Sequence, residues 1–366
     1  MAPTAEQVLN ALRSVQDPDL RRDIVSLGFV KDVQVNGGEV SFTIELTTPA
    51  CPVKDLLKDE AAKLVGALPG VSRVNVAMTA QVRRAGGMGP GPQPAPRVLA
   101  PQLKHIVPIA SGKGGVGKST VTANLALALA KAGARVGVMD ADVYGPSIPM
   151  ILGVTGQPQV TENRRIIPVE RQGLKVISMG FFMKPEEAVV WRGPMLHKTM
   201  EQFLGSVEWG ELDYLLVDLP PGTGDVQLSL CQLIPITGAV IVSTPQDVAL
   251  NVAQKAISMF NKLNVPILGI VENMSAYACP KCGHHDEIFG SGGARKTAER
   301  LGVPFLGEIP LATQIRETSD AGAPVVLSAP DSPAAKVFTA VAQQLAAQIS
   351  IRTMQGDLAP QVKVTF

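Results

Sequence analysis

Residues 111–120, with the sequence SGKGGVGKST, have the composition and spacing of a loop that holds phosphate groups. They match the pattern G-x-x-x-x-G-K-[S/T] at every fixed position. The glycines let the backbone curl so that successive N–H groups point at phosphate oxygens, and a helix that begins there adds its positive N-terminal dipole. Lys118 then supplies a charge to the terminal phosphates, and the Ser119 hydroxyl is placed to ligate a bridging Mg²⁺ ion. The predicted nucleotide-contacting residues in this loop are Gly112, Lys113, Gly114, Gly115, Val116, Gly117, Lys118, Ser119 and Thr120.

Two acidic segments accompany this loop. The apolar run 215–217 ends at Asp218, where a protein with such a loop needs a carboxylate to orient the magnesium shell; the alternative is a cap or a solvated loop acid. The stiff turn 220–225, PPGTGD, follows it and is placed to sense the terminal phosphate. Asp140 and Asp142 end another predicted strand, so that one of them can position an attacking water; the alternative is two solvated loop acids.

Cys279 and Cys282 have the two-residue spacing that lets both thiolates reach one metal centre. Two ligands do not fill a four-ligand site. Ring nitrogens of His284 or His285 would complete a zinc site within one chain, whereas a symmetric dimer would bring two cysteine pairs together around an iron–sulfur cluster. The spacing leaves both alternatives open.

The other two cysteines carry weaker signals. Cys51 lies between Pro49 and Pro52 before a predicted helix, where the helix N-terminus would stabilise a thiolate; burial as a small side chain is the equal alternative. Cys231 lies in an apolar run, which favours core packing.

Composition limits the functional classes. The chain has 366 residues, 46% of them hydrophobic, with 33 Lys and Arg against 32 Asp and Glu. A formal charge of +1 gives no electrostatic reason to expect nucleic acid or an anionic membrane as a partner. We find no secretory signal and no apolar run long enough to span a bilayer, so a soluble, cytoplasmic protein is expected by default. In a reducing compartment, metal binding or reactivity is a more expected use of the four cysteines than disulfides.

The pattern of apolar residues divides the chain into parts. Residues 1–81 predict a small α+β domain, with helices at 6–15 and 55–68, a hairpin at 33–46 and a strand at 71–78. Residues 82–102 are rich in glycine and proline and predict a flexible linker.

Residues 103–350 alternate between strand and helix patterns, which is typical of a doubly wound, mostly parallel α/β sheet. The predicted strands are 106–110, 135–140, 174–179, 214–219, 239–243 and 267–271, with a helix at 121–131 after the loop. Pro108 removes a backbone donor from the first of these strands, so we expect that strand to be short or to begin late. Residues 351–366 lack a clear helical period and predict a loose tail.

With its loop 113–119, the runs DADVYGPS at 140–147 and DLPPGTGD at 218–225, and the 279/282 cysteine pair, the chain closely resembles the Mrp/ApbC family of iron–sulfur cluster carrier ATPases. The likeness covers about residues 100–345. The segments DPD at 17–19 and TPACP at 48–52 resemble the small iron–sulfur-assembly domain that many bacterial members carry in front.

The resemblance implies a homodimer that binds and slowly hydrolyses ATP, in which the lysine matching Lys113 reaches the other subunit's nucleotide. It implies that Cys279 and Cys282 of both subunits hold a bridging 4Fe-4S cluster, which is passed to apo-proteins in concert with a cluster-assembly scaffold. By the same resemblance, Asn273 contacts adenine and Asp142 lies in the first switch region.

Two other functions compete with a cluster carrier. A dimeric ATPase of the MinD/ParA kind would position other components on membranes or DNA, but the tail has no basic amphipathic face to serve as an anchor. A zinc-stabilised nucleotide-binding module would use its metal only for structure.

Overall fold

The computed structural model describes residues 2–84, 100, 102–183, 193–279, 281–282 and 284–355. The predicted linker lies almost wholly outside these ranges, as does the end of the predicted tail from residue 356. The chain divides into two compact units, Met1–Arg83 and Arg84–Phe366.

The first unit is a small α+β module. Its elements are α1 (Ala5–Leu12), β1 (Gln16–Asp17), β2 (Arg22–Asp23), β3 (Val30–Asn36), β4 (Glu39–Leu46), α2 (Lys54–Gly66) and β5 (Arg73–Ala80). β4 lies between β3 and β5 in one sheet, and its alternate residues Val40, Phe42, Ile44 and Leu46 are buried. This alternation is the period-2 pattern that predicts a strand with one covered face.

The second unit contains a nine-stranded sheet and surrounding helices. The strands of this sheet are β6 (Leu103–Ser111), β7 (Val136–Asp140), β10 (Val169–Arg171), β11 (Leu174–Ser178), β12 (Leu212–Asp218), β13 (Ala239–Ser243), β14 (Ile267–Ala278), β15 (His285–Asp286) and β16 (Phe305–Leu311). Two further strands, β8 (Gln159–Val160) and β9 (Ile166–Ile167), form a separate two-stranded sheet. The helices of this unit are α3 (Lys118–Lys131), α4 (Ile148–Ile151), α5 (Gly193–Gly205), α6 (Asp225–Leu233), α7 (Asp247–Lys262), α8 (Gly293–Leu301), α9 (Thr313–Asp320), α10 (Val325–Ser328) and α11 (Pro333–Gln355), with a 3₁₀ turn at Met179–Phe181.

The strand order is β10-β11-β7-β12-β6-β13-β14-β15, with β16 beside β14. The pairs β10–β11 and β14–β15 are antiparallel, and the other neighbours in this sheet are parallel. β7, β12 and β13 are buried along their whole length, as apolar strands covered on both faces must be. The predicted doubly wound, mostly parallel sheet is confirmed.

The topology gathers the predicted acids at one edge of the sheet. β12 lies between β6 and β7, and its last residue, Asp218, is in register with Asp140 of β7 and Ile109 of β6. Because parallel strands end at the same edge, the loop after β6 and both acidic segments meet there.

The expectation of a short or late first strand is wrong. β6 runs from Leu103 through Pro108 to Ser111, with Val217 of β12 opposite the proline. Backbone groups alternate between the two neighbours, and Ile106 faces the β13 side, where it donates to the Thr237 hydroxyl at 3.3 Å. Pro108 faces that same side, and the β13 ladder begins only at Ile109. The missing donor therefore falls where no ladder bond is required.

The predicted loose tail begins too early. α11 continues to Gln355 because tertiary contacts extend it past the end of its periodic pattern. Arg352 donates from Nη2 to the carbonyl of Ile267 at 3.1 Å, which ties the last turn of the helix to the start of β14. Among the described residues, no helix combines the length and apolarity needed to cross a membrane.

Candidate functional site

The loop after β6 forms a backbone cradle at the N-terminus of α3. Gly117 caps the helix in a left-handed conformation (φ 78°), and no side chain of the described residues caps it. A Cβ atom at Gly112 would lie 2.5 Å from the backbone nitrogen of Ala253 in α7, and one at Gly117 would collide with the Asn273 amide. Glycine is therefore required at both positions, and the free N–H groups of α3 remain available to an anion.

Three donors from α3 converge on Asp218. Its Oδ2 accepts hydrogen bonds from Lys118 Nζ at 2.7 Å and from the Ser119 hydroxyl at 2.6 Å, and its Oδ1 accepts from the Thr122 hydroxyl at 2.7 Å. The Asp218 side chain is 0% exposed and that of Lys118 is 6% exposed. A buried carboxylate of this kind needs its counter-charge, so Lys118 neutralises Asp218 as long as phosphates are absent.

The segment after β7 is held by Asp140. Its Oδ2 accepts from the backbone N–H of Ile148 and from the Ser178 hydroxyl, and its Oδ1 accepts from the N–H of Asp142. Burial, together with the nearby carboxylate of Asp218, raises the pKa of Asp140 above its usual range. Asp140 thus fixes both ends of the segment 142–148.

Asp142 lies on the other side of Lys118. Its Oδ2 is 3.8 Å from Lys118 Nζ, and its Oδ1 accepts from the backbone N–H groups of Tyr144 and Gly145. The two carboxylates that face Lys118 therefore come from the end of β12 and from the segment after β7.

A cleft of about 240 Å³ opens over the loop. Its lining combines loop residues with Asp142, Ser147 and Ile151 from the segment after β7 and Pro221 from the turn after β12. Three hydrogen bonds fix that turn. Gly222 N–H donates to the Ser111 carbonyl at 2.9 Å, and Gln227 Nε2 donates to the carbonyls of Pro220 and Gly222. The cleft has loop backbone on one side and acidic segments on the other.

Lys113 and Asn273 flank the loop. Lys113 Nζ donates to Gln246 Oε1 at 3.4 Å. Asn273 Nδ2 donates to the Val116 carbonyl at 2.8 Å, and its Oδ1 has no hydrogen-bond partner within the described part of the chain.

The cysteine pair lies in the turn after β14. The Cys279 N–H donates to the His284 carbonyl at 2.9 Å, and Cys282 is exposed. Hydrogen bonds from the N–H groups of Cys282 and Lys281, and from the Cys282 thiol, lower the pKa of Cys279. Backbone donors directed at a sulfur favour its thiolate form, which is the form that binds metals.

The zinc hypothesis lacks a third ligand. Within the ranges that the structure describes, no group of three or more His, Cys, Asp and Glu side chains is arranged to hold a metal ion. His284 and His285 thus do not join the cysteine pair in this arrangement.

The remaining cysteines, Cys51 and Cys231, are partly buried thiols. Burial raises the pKa of Cys51 to about 11, against a backbone hydrogen bond at Val53, and the carboxylates of Asp17 and Asp19 raise it further. Of the two interpretations of Cys51, the structure supports the buried side chain. Burial also raises the pKa of Cys231 to about 12, and this residue packs against the hydrophobic core, as expected.

The structure thus brings the loop and Asp142 together in the lining of one cleft. Asp218 and Asn273 lie outside this lining and contact the loop through Lys118 and the Val116 carbonyl. Cys279 and Cys282 also lie outside the lining. Thr122 and Gln246 are missing from the sequence-based set of candidates. Thr122 follows Lys118 by one helical turn, a spacing that places it on the same helix face. Gln246 has no comparable signal, because its contact with Lys113 spans 133 positions.

Comparisons with known proteins agree with this geometry. The model of the NUBPL iron-transfer P-loop NTPase family matches residues 102–346, and that of an iron-sulfur cluster assembly protein family matches residues 5–77. The iron-sulfur cluster carrier protein of Deinococcus radiodurans is 50% identical, over 98% of this chain and 99% of the relative. That of Synechocystis is 47% identical, over 96% of this chain and 99% of the relative.

Solved structures share the fold of the second unit. A nucleotide-binding protein of Archaeoglobus fulgidus in complex with ADP has a TM-score of 0.54 and 44% identity, covering 60% of this chain and 87% of that one. The cell division ATPase MinD of Pyrococcus furiosus has a TM-score of 0.51 and 26% identity, covering 66% of this chain and 97% of that one. The chain belongs to the NUBPL-type iron-transfer P-loop NTPase family.

Proposed function

We propose that this protein is an ATP-binding and ATP-hydrolysing carrier that holds an iron–sulfur cluster between two subunits and passes it to apo-proteins. One observation carries the proposal: a phosphate cradle and a cysteine turn with thiolate-stabilising N–H groups occur in the same chain. The names of the relatives, iron-sulfur cluster carrier proteins, support it.

The residues of the cleft fit MgATP. The glycine positions that exclude a Cβ and the uncapped N-terminus of α3 suit phosphate oxygens, and the adjacent Ser119 hydroxyl and Asp218 carboxylate suit a hard cation. Ser119 and Asp218 would hold the Mg²⁺ ion, which would supply positive charge to the phosphates. Lys118 would contact the terminal phosphates in place of Asp218.

Hydrolysis uses the acids of the cleft. Asp142 positions and polarises the attacking water, because it lines the cleft and lies 3.8 Å from Lys118 Nζ. Lys113 leaves Gln246 and stabilises charge on the nucleotide of the partner subunit. The four catalytic residues of the proposal are Lys113, Lys118, Asp142 and Asp218.

Asn273 selects the base. Because its Nδ2 is committed to the Val116 carbonyl, the open Oδ1 is an acceptor, and it favours the exocyclic amino group of adenine over the carbonyl of guanine.

The cluster is the cargo of the carrier. Cys279 and Cys282 supply two of the four thiolates that a 4Fe-4S cluster takes, and a second copy of the chain supplies the others. The expected assembly is a homodimer that receives its cluster from an assembly scaffold and delivers it to apo iron–sulfur proteins in the cytoplasm, without nucleic acid or membrane as a partner. We assign the assembly-associated domain to residues 1–81 and the linker to residues 82–102. We assign the ATPase domain to the residues from 103 through the end of α11 at Gln355.

The carrier function is tested by transfer. The chain is loaded anaerobically with iron and sulfide and mixed with an apo-protein that needs a 4Fe-4S cluster to be active. We expect the client to gain activity at a rate that MgATP changes in the wild type and leaves unchanged in a Lys118→Ala variant. A loaded chain that keeps its iron in the presence of the client would refute the proposal.

Site sharing has its own test. A Lys113→Ala chain and a Lys118→Ala chain are assayed for ATP hydrolysis separately and then mixed. If Lys113 acts on the partner's nucleotide, a mixed dimer contains one intact composite site and regains activity. Activity of the mixture equal to the mean of the two separate variants would contradict sharing.

A further inference from the structure

β14 physically connects the two halves of the proposed function. Asn273, which contacts the phosphate loop, and Cys279, the first residue of the metal-binding pair, are joined by five residues of this one strand and its end. Its pairing with β13 ends at Glu272, so beyond that point β14 is held by other neighbours.

The ladder between β14 and β16 is interrupted within this connection. Asn273 pairs with Ile309 and Tyr277 pairs with Leu311, so three residues of β14 stand opposite the single residue Pro310. Pro310 has no N–H to donate, and a bulge forms there. The Ser275 hydroxyl, which is buried, donates to the Ile309 carbonyl at 3.2 Å and thereby joins the bulge to β16.

Met274, the first residue of the bulge, has a left-handed backbone (φ 58°). This conformation is unfavourable for a residue with a Cβ and persists only where surrounding contacts hold it. Its terminal methyl group lies 3.5 Å from the position that a Cβ atom of Gly117 would occupy, and thus packs over the N-cap of α3. The strained residue therefore contacts the phosphate loop directly.

After the bulge the strand is anchored again. Tyr277 pairs with Leu311 of β16 and with Asp286 of β15, and Ala278 pairs with His285 of β15. These two residues of β14 lie directly before the cysteine turn. Only Ser275 and Ala276 lie between Met274 and this paired segment, so a change of backbone at Met274 acts on the segment that leads directly to Cys279.

We propose that the bulge at residues 274–276 couples nucleotide occupancy of the loop to the geometry of the Cys279/Cys282 pair, with Met274 as its positioning residue. The inference rests on the proposed function and adds its regulation. The bulge has two states, left-handed and extended at Met274, and phosphates bound at Gly117 favour one of them. Coupling of this kind is reciprocal, so cluster loading changes nucleotide affinity by the same factor.

The test measures the thiols rather than activity. The reduced, metal-free full chain is alkylated with iodoacetamide, with and without saturating MgATP, and mass spectrometry follows Cys279 and Cys282 separately from Cys231. The chain concentration is one at which sedimentation shows the same oligomeric state in both conditions. We expect MgATP to change the Cys279 rate by about fivefold or more, the lower end of common coupling factors.

Three variants then separate the bulge from its surroundings. Met274→Gly accepts φ > 0 without strain and lacks the methyl group, so the effect of MgATP on the Cys279 alkylation rate should fall below about twofold. Met274→Leu keeps the bulk and the strain and should keep the coupling. Asn264→Gly, at an exposed residue with φ 54° before β14, is the matched control and should behave as the wild type.

The outcomes are distinct. If Met274→Gly does not fold, as judged by circular dichroism, Ser275→Ala replaces it. This variant should also weaken the effect of MgATP on the Cys279 alkylation rate. A wild-type chain that binds MgATP and loads a cluster, yet shows equal Cys279 rates, overturns the coupling alone, as does full coupling in Met274→Gly. A chain that binds no nucleotide overturns the proposed function together with this inference.

Discussion

The Lys118–Asp218 pair is predicted to stabilise the nucleotide-free protein as well as to serve the nucleotide. The perturbation is Lys118→Met, a change that keeps the length of the side chain and removes its charge. It leaves Asp218 buried with two hydroxyl donors, Ser119 and Thr122, and without a counter-charge in hydrogen-bond contact.

The expected magnitude follows from the burial of the pair. Removing one partner of a buried ion pair lowers the free energy of unfolding by about 3–5 kcal/mol. Because two hydroxyl donors still bind Asp218, we expect a loss of about 3 kcal/mol for Lys118→Met. Asp218→Asn should cost about 2 kcal/mol, because Lys118 keeps Asp142 at 3.8 Å. The double variant buries neither charge, so it should lose only about 2 kcal/mol in all, which corresponds to a coupling energy of about 3 kcal/mol.

Urea unfolding of the wild type, both single variants and the double variant measures this cycle. Both tryptophans, Trp191 and Trp209, belong to the second unit, so their fluorescence reports on the unit that contains the pair. The experiment is run near pH 7 without nucleotide. A coupling energy below about 0.5 kcal/mol, within the range of simple additivity, would refute the account of Lys118 as the counter-charge of Asp218.

Three further predictions concern the cleft and the thiols. Gly117→Ala should weaken binding of a fluorescent ATP analogue by about tenfold or more, because backbone strain adds to a steric collision. Gly290→Ala, at a glycine with a similar φ and open space around it, should not weaken binding. Equal affinities of the two variants would contradict the role of Gly117 in the phosphate cradle. Burial raises the pKa of Cys51 to about 11, so at pH 8 this thiol should react with iodoacetamide at least about tenfold more slowly than Cys279. The reaction rate of Cys51 should rise as the pH rises toward 11. Similar rates for the two cysteines at pH 8 would contradict the burial of Cys51. Asp140→Asn should loosen the segment after β7, because Asp140 accepts hydrogen bonds from both ends of that segment. We expect kcat for ATP hydrolysis to fall by about tenfold or more, with a smaller effect on ATP affinity. An unchanged kcat in steady-state kinetics would contradict the role of Asp140 in holding this segment.

The sequence predicts the sheet and the phosphate loop well because both depend on local patterns. Strands buried on two faces appear as short apolar runs, and the loop has fixed residue types at fixed spacing. Once β6, β7 and β12 are parallel neighbours, the edge of the sheet is determined, and Asp140 and Asp218 must meet there.

Contacts between distant segments are what the sequence does not predict. The predicted strand at 267–271 ends too early, since β14 continues to Ala278 through the polar sequence ENMSAYA. Glu272 can be buried there because its carboxylate accepts N–H bonds from Gly292 and Ala294 at the start of α8. The polarity of Glu272 indicates an exposed loop, while its partners come from 20 or more residues away.

The bulge at Met274 and the raised pKa of Cys51 both depend on residues that are distant in the sequence. The bulge depends on a proline in β16, and the pKa depends on the depth at which the thiol is buried beside two carboxylates. Neither the conformation of Met274 nor the burial of Cys51 is encoded in its immediate neighbours, so residue spacing alone leaves both open.

The most direct test of the central claim is the iron content of the chain after anaerobic reconstitution. Wild type, Cys279→Ser, Cys282→Ser and, as a control, Cys231→Ser are loaded with iron and sulfide, separated from excess reagent and analysed for metal, sulfide and mass. We predict about two iron and two sulfide per chain in a dimer for the wild type and for Cys231→Ser, and loss of the cluster in the other two variants. Iron retained by Cys279→Ser and Cys282→Ser, or one zinc per chain with no iron in the wild type, would contradict the proposal that this pair holds a shared cluster.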